Sequence, residues 1–355
     1  MKKIHPLKIL AGAVAALLLL AILADIHGRR WAGHGQGPGT RLLARFDTAK
    51  VDRIELGDGN GILTIEKTGT GWVIRNRWNY PASTTVVEDF LHRFRDAKVM
   101  QRVNAPPKHL ASLCLEMPAP GKDGSGLLVR VYKGSSVLGE MVWGIPVADP
   151  AIPARPENPQ GTMAARYVMI PRTGLVALAA EPFDLFAFHP GAWMDHGLWK
   201  LSQLKAIRLV RGGQIEWQIA KAAPDQPYEM KPMRLDEKLD FDALARLGPV
   251  LSLASFTDVV DPALRDDATG LDHPAICEIE DFGGRKVAYH FGKPVGDKNS
   301  GVYTRIIRDR AAAGAIPDDL LKRWVFSFDP KIVAILAGRR DQFLAKPAAE
   351  ATKRP

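Results

Sequence analysis

Trp143-Gly144-Ile145-Pro146-Val147 and Phe291-Gly292-Lys293-Pro294-Val295 carry one pattern, aromatic-Gly-x-Pro-Val, 148 residues apart (291 − 143). Proline removes a ladder donor and glycine permits a bend or a close backbone approach, so each stretch reads as the irregular end of a strand. A pattern this specific, met twice at long range, points to a copied unit, and its flanks test that idea.

The flanks agree. Just upstream, Leu128-Val129-Arg130-Val131-Tyr132 matches Ile276-Cys277-Glu278-Ile279-Glu280, each alternating as a half-buried strand does and each running through a glycine turn (Gly134; Gly283-Gly284) into the patterned stretch. Before these strands stand Leu115-Glu116-Met117-Pro118 and Leu271-Asp272-His273-Pro274, the same Leu-x-x-Pro step. Downstream, Arg166-Tyr167-Val168-Met169-Ile170 answers Val302-Tyr303-Thr304-Arg305-Ile306, and a helical segment is expected after each.

Farther out, Val51-Asp52-Arg53-Ile54-Glu55-Leu56 pairs with Leu204-Lys205-Ala206-Ile207-Arg208-Leu209, and Ile62 to Lys67 with Ile215 to Lys221, both alternating and both closed by lysine. Trp72-Val73-Ile74 and Tyr228-Glu229-Met230 come next. A helix follows in each copy. Val86, Val87, Phe90, Leu91 and Phe94 form its apolar stripe in the first, with Thr85 and Glu88 as a capping box; Phe241, Leu244, Leu247 and Leu251 form it in the second, with Asp240 as cap. Such stripes are read as core seams.

Phe46-Asp47, Lys50-Val51 and Ile54 are echoed by Phe328-Asp329, Lys331-Ile332 and Ile335, which reads as the opening of a third unit before the chain stops. The fold class is therefore α+β, an N-terminal transmembrane helix followed by two tandem repeats of mostly antiparallel sheet with packed helices, in the order β-β-β-α-β-β-β-α. The expected division is a cytoplasmic tail (1–6), a transmembrane anchor (7–26), a flexible linker (27–41), a first repeat (42–198), a second repeat (199–326), and a partial third repeat with a tail (327–355).

Composition fits that picture. Hydrophobic residues make up 46% and charged residues 25%, the balance of a packed chain. The net charge of +9 is scattered among acids, without a like-charge block or an aromatic-interleaved basic motif, so no nucleic-acid partner is expected. Two cysteines, Cys114 and Cys277, lie in apolar runs without metal-ligand spacing; buried free thiols are preferred over a single bridge.

Residues Leu7 to Ala24 are apolar apart from Lys8. About 18 helical residues just cross a hydrocarbon core of ~30 Å, so a signal anchor fits; a cleavable signal peptide is the competing reading, with Ile22 poor at the −3 position. Lys2, Lys3 and Lys8 precede the span and Arg29 and Arg30 follow it. That bias and the short N-terminal tail place the bulk outside the cytoplasm, as a single-pass protein of the inner membrane facing the periplasm or exterior. Gly33 to Gly39 reads as a spacer.

Taken together, the span, the Val51-x-x-Ile54 pattern, the Glu66-Lys67 strand end, Trp72, the Val86 to Phe94 helix and the Leu-x-x-Pro step before Cys277 resemble the domain of unknown function 4340 family over about residues 42 to 310. The resemblance implies a tandem-repeat, membrane-anchored protein with an accessory role at a gliding-type ABC transporter, its permease or auxiliary subunit being the implied partner. It brings no catalytic residues. The Gly-Lys-Pro of the second copy is Gly144-Ile145-Pro146 in the first, so a site built on that lysine exists at most once.

Among chemistry-bearing residues, His189, Asp195 and His196 offer two imidazoles and a carboxylate in a short stretch, as a metal site or an envelope hydrolase needs. The stretch lies at the join of the repeats and lacks an HExxH, so a packed connector is the preferred reading and no cofactor is expected. Asp266, Asp267, Asp272 and His273 read as a solvated acidic loop. Gly121 to Gly126 lacks the P-loop order, and no G-x-S-x-G occurs. Trp72 and Trp217 are expected in the core, while Trp78, if exposed, marks a binding face for peptide or glycan. The function expected is a non-enzymatic accessory or scaffold protein; an envelope hydrolase and a ligand-binding module are the alternatives.

Overall fold

The computed structural model describes residues 37–43, 47–152, 158, 161–196, 203–245, 247, 256–296, 300–309 and 321–345. The expected tail, anchor and most of the linker (1–36), and Leu251 of the second stripe, lie outside the described residues. Among the described residues no helix is long and apolar enough to cross a membrane.

Alternating segments form strands as expected. The chain runs β1 (Arg53–Gly57), β2 (Ile62–Thr68), β3 (Gly71–Ile74), β4 (Tyr80–Pro81), α1 (Thr84–Asp96), β5 (Val99–Arg102), α2 (Pro107–Leu110), β6 (Leu127–Lys133), β7 (Ser136–Ala148), β8 (Met163–Ile170) and β9 (Leu175–Ala179). It continues with β10 (Leu204–Arg211), β11 (Gln214–Ala220), β12 (Glu229–Lys231), α3 (Phe241–Ala245), β13 (Phe256–Val260), α4 (Asp266–Thr269), β14 (Ala275–Asp281), β15 (Lys286–Pro294), β16 (Val302–Arg308), β17 (Val325–Phe328) and α5 (Pro330–Leu336).

Two sheets result, of order β4-β3-β2-β1-β6-β7-β8-β9-β5 and β12-β11-β10-β14-β15-β16-β17-β13. The strand pairs run antiparallel. With the two-residue β4 set aside, the two orders are the same order. The protein is α+β with sheet dominant.

Three details differ from the sequence reading. The strand after each helix, β5 or β13, was hidden by its polar face, since Val99–Arg102 buries only its first residue. The helix expected after Ile170 is instead β9, joined through a turn with Gly174 at φ +66°. The boundary expected at 326, before a third unit, falls inside β17, which completes the second sheet by pairing with both β16 and β13, and the echo of Asp47 is a shared helix cap, Asp47 accepting from the Ala49 N–H and Asp329 from the Lys331 N–H.

The described residues group into two compact units, one of residues up to Thr70 with Thr85–Phe188, the other of Gly71–Thr84 with residues from His189 onward. This division departs from the repeat boundary at 198 because Tyr80 is an aromatic anchor of the second unit. Its ring meets Phe256, Trp324 and Phe326 edge-on at 5.6, 4.9 and 5.9 Å, and its hydroxyl donates to the Asp195 carbonyl at 2.9 Å. Edge-to-face contacts and a satisfied hydroxyl are how a buried tyrosine is accommodated.

In the first unit α1 buries Val87, Phe90, Leu91 and Phe94, while Val86 is half-buried. Full burial of such side chains stabilises by roughly 2 kcal/mol each. The helix begins at Thr84, so Thr85 lies inside its first turn rather than at the cap. Phe90 and Phe94 meet Phe186 and Phe183, and Phe183 stacks on Trp143 at 4.4 Å. In the second unit Asp240 caps α3 as read, accepting from the N–H groups of Asp242 and Ala243. Leu244 and Leu247 are buried; Phe241 is 63% exposed and leaves the stripe, because it stands first in the helix. Trp72 and Trp217 are buried, and Trp78 is 42% exposed. Cys114 and Cys277 are free, the first half-buried and the second buried.

The linker reading also changes at its end. Gly39 donates to the Val99 carbonyl, Val99 to Thr40 and Leu42 to Ala97, with Arg41 opposite Lys98 as an antiparallel bridge. Residues 39–42 are therefore held along residues 97–99, where α1 passes into β5.

Candidate functional site

The shared motifs prove to be pieces of one structural joint, built twice. In each unit a short helical turn ends in a left-handed residue, Cys114 (φ 50°) or Gly270 (φ 74°). The next residue, Leu115 or Leu271, donates its N–H back to the carbonyl of Leu110 or Asp266 at 2.9 Å and buries its side chain. This is the backbone closure and apolar contact of a Schellman ending, and it is why Leu-x-x-Pro recurs.

The glycine of aromatic-Gly-x-Pro receives the end of that turn. A Cβ on Gly144 would stand 2.2 Å from the Leu113 carbonyl oxygen, and one on Gly292 2.2 Å from that of Thr269. Both strands bulge there, with register shifts between Trp143 and Pro146 and between Phe291 and Pro294. The bulge re-aims the strand so that proline needs no ladder donor. Lys293, the lysine found in one copy only, donates its Nζ to the Asp267 carbonyl at 2.8 Å and so holds the end of α4.

The left-handed cap gives a direct test. Cys114→Gly is expected to raise stability by about 0.5 kcal/mol, since a side chain in this conformation costs ~1–2 kcal/mol and added chain entropy returns part of it. Gly270→Ala should lower stability by roughly 2 kcal/mol on the same ground. Thermal melts of the two variants check the opposite signs.

His189, Asp195 and His196, the weak candidates for metal or hydrolytic chemistry, lie on one connector that contains a 3-10 turn. His189 is exposed at the entrance of a 3-10 turn (Pro190–Ala192). Asp195 is engaged through its backbone, its N–H donating to the Pro81 carbonyl at 3.0 Å. His196 Nε2 lies 2.7 Å from the Gly191 carbonyl oxygen, and its ring is 4.4 Å from that of Phe256. The stretch wraps tightly on β13, where a Cβ on Gly191 would meet the Thr257 carbonyl oxygen at 2.5 Å. Among the described residues no group of three His, Cys, Asp or Glu side chains is placed to hold a metal.

The acidic loop is likewise paired. Asp266 accepts two hydrogen bonds from Arg305, at 2.7 and 2.9 Å, and Asp267 two from Arg265, at 2.6 and 3.0 Å. Asp272 and the exposed His273 stand 3.9 Å apart.

One constellation escapes single-segment reading and emerges when the two joints are compared. In the first unit the outer side of the sheet carries a small apolar core of Leu115, Val142, Met169 and Val176, with Leu110 packed against it. Val142 and Met169 are register partners, and Leu110 lies four residues before the left-handed cap. In the second unit the same three places hold His290, its register partner Arg305, and Asp266.

Where the first unit has an apolar trio, the second has His-Arg-Asp. The Arg305 guanidinium holds the Asp266 carboxyl below the usual carboxylate range. Burial, then the charge of Arg305, pushes the His290 imidazole down, against an opposing pull from Glu278. The ring is therefore neutral at neutral pH. Alongside, Arg208 pairs with Glu278 and Lys205 with Glu280, and Arg208 and the two glutamates line a cavity of about 280 Å³ together with Gln218 and Ala288. Nothing in the sequence alone singles out this trio, because its members lie on three separated segments. The repeat alignment is the signal that finds it.

The trio predicts a pH response. His290 has a folded value below its unfolded one, so the unfolded chain takes up the proton first, and stability falls as pH drops below ~6.5. Asp266 adds a second loss, as pH falls below ~4 and through its depressed folded value. Replacing all three by their counterparts (Asp266→Leu, His290→Val, Arg305→Met) should remove both dependences and leave stability at neutral pH equal or higher, since well-packed apolar groups commonly match an ion pair. Urea titrations at several pH values measure it.

Comparison with protein-family models, with curated proteins and with solved structures finds no match to this chain.

Proposed function

We propose that this chain is a membrane-anchored, non-enzymatic accessory or scaffold protein, an internal duplication whose two sheets stand outside the cytoplasm and contact an envelope partner. In keeping with the family resemblance, that partner is an ABC transporter permease or its auxiliary subunit. The observation that carries the reading is the common strand order of the two sheets, together with the shared motifs serving a joint of the fold rather than a reaction. The apolar stretch Leu7 to Ala24 supports the anchor. A tether raises the effective concentration of the attached body at its partner's surface, which suits a scaffold.

Mild detergent extraction of the native protein, followed by affinity capture and identification of companions, is expected to recover a transporter component in stoichiometric amount. Recovery of the chain by itself, under conditions that keep known membrane complexes together, removes the reading.

A second reading, a ligand-binding module, draws on one observation: the second unit replaces an apolar trio by Asp266, His290 and Arg305 beside a polar cavity. It predicts a rise in melting temperature with some member of a small-molecule or glycan panel, lost in the triple apolar variant.

A further inference from the structure

From the pairing of residues 39–42 with residues 97–99 at the head of β5, and from the charge of the residues that follow, we infer that the β5 edge of the first sheet is a docking surface for the anionic headgroups of the bilayer in which the chain is anchored; this rests on the tether reading above. The register places Arg41 opposite Lys98 in antiparallel sense, and a turn closed by the Thr40 N–H on the Gly37 carbonyl sets the start of the described chain beside Val99, at the head of this edge. Gly37 stands only 12 positions after Asp25, at the end of the apolar stretch (37 − 25). That length of chain spans at most about 40 Å extended and about 20 Å as a flexible coil. On the tether reading this length limits how far the edge can stand from the membrane surface.

Its chemistry matches that surface. Residues 97–115 carry Lys98, Arg102 and Lys108 and no acid. All three cations are exposed, as is Met100 at 46%. The nearest carboxylates are engaged: Asp96 with Arg95 and Arg41, Glu181 with Arg93. The corresponding edge of the second sheet, residues 256–271, has the opposite balance, with Asp258, Asp261, Asp266 and Asp267 against Arg265 alone. Both stretches perform the same structural job, an outer strand followed by a helical turn, so the fold does not require the basic character. A cationic, acid-free edge with an exposed methionine beside a short tether is suited to lipid phosphates, which attract each nearby Lys or Arg.

The test uses the full chain reconstituted into vesicles of equal parts phosphatidylcholine and phosphatidylglycerol, in a Cys114→Ser background. A bimane probe is placed at Met100→Cys or, as reference, at Ser135→Cys in the exposed β6–β7 turn. Quenching by headgroup nitroxide lipid should be several-fold stronger at position 100. It should fall to the reference level in the Lys98→Glu, Arg102→Glu, Lys108→Glu variant, and in the parent chain when salt is raised. Equal quenching at both positions, or quenching indifferent to charge reversal and to salt, overturns the inference. A carbonate wash is read separately. Retention with equal quenching removes the docking surface and leaves the tether; release of the chain removes the tether and the docking with it.

Discussion

Gly144→Ala is expected to lower stability by about 3 kcal/mol, among the largest effects of any single methyl group in the first unit. The added carbon would meet the Leu113 carbonyl oxygen at 2.2 Å and the Leu115 side chain at 2.8 Å. A rotamer change relieves overlap with a side chain, but the carbonyl belongs to a turn closed by its own hydrogen bonds and cannot yield locally. The joint must open, exposing Leu115 and the apolar cluster under it. Gly292→Ala repeats the experiment in the second unit, against the Thr269 carbonyl oxygen at the same distance. Denaturant titrations should show similar losses for both. A loss in one only would mean that the two joints are not energetically equivalent. Loss in neither would remove the close approach as the reason for the motif.

Trp143→Ala should cost about 3–5 kcal/mol, the range for truncating a large buried aromatic. The indole is 2% exposed, lies flat on Phe183 and packs beside Phe90, so its removal leaves a void between the sheet and α1. Trp143→Phe provides the contrast. The Trp143 Nε1–H is buried without an acceptor among the described residues, and an unmatched buried donor carries its own cost of ~1–3 kcal/mol. Phenylalanine removes that donor and much less volume, and phenylalanine is already the aromatic at the equivalent position 291. The variant should fall within about 1 kcal/mol of the parent. A loss comparable to that of the alanine variant would show that the indole nitrogen is satisfied in solution, for example by water.

Much of this architecture was legible in the chain itself. Period-two alternation located β1, β2, β6, β10, β11 and β14, where buried residues largely alternate with more exposed ones, and the recurring motif at their ends located β7 and β15; β7 itself buries four residues in succession, Met141 to Gly144. The recurrence of Leu-x-x-Pro and aromatic-Gly-x-Pro was legible too, although its cause, a carbonyl pressed on a glycine, belongs to tertiary structure. The outer strands were not legible. Val99–Arg102 has polar and charged residues where periodicity is sought, and its place is fixed by β9, far along the sequence. The role of Tyr80 was hidden for the same reason, since its partners lie beyond position 250. His189, Asp195 and His196 lie near one another in sequence, where a connector is the preferred reading, and the hydrogen bonds of the stretch run from the Trp193 and Asp195 N–H groups and the His196 ring to backbone carbonyls. Asp266, His290 and Arg305 looked unremarkable because they are far apart, and the register brings them together.

The position of β5 and β13 has a kinetic consequence. Each is made early but forms the rim of its sheet by pairing with the last strand made, Val99 with Ala179 and Phe256 with Phe328, separations of 80 and 72 residues (179 − 99; 328 − 256). Closing loops of nearly equal length costs nearly equal entropy, so the two sheets face the same delay before their rims seal. Until residue 179 or 328 has left the ribosome, the early strand lacks the partner for the side that faces the last strand. Nascent chains halted shortly before either position should be markedly more open to proteolysis and self-association than chains halted shortly after it.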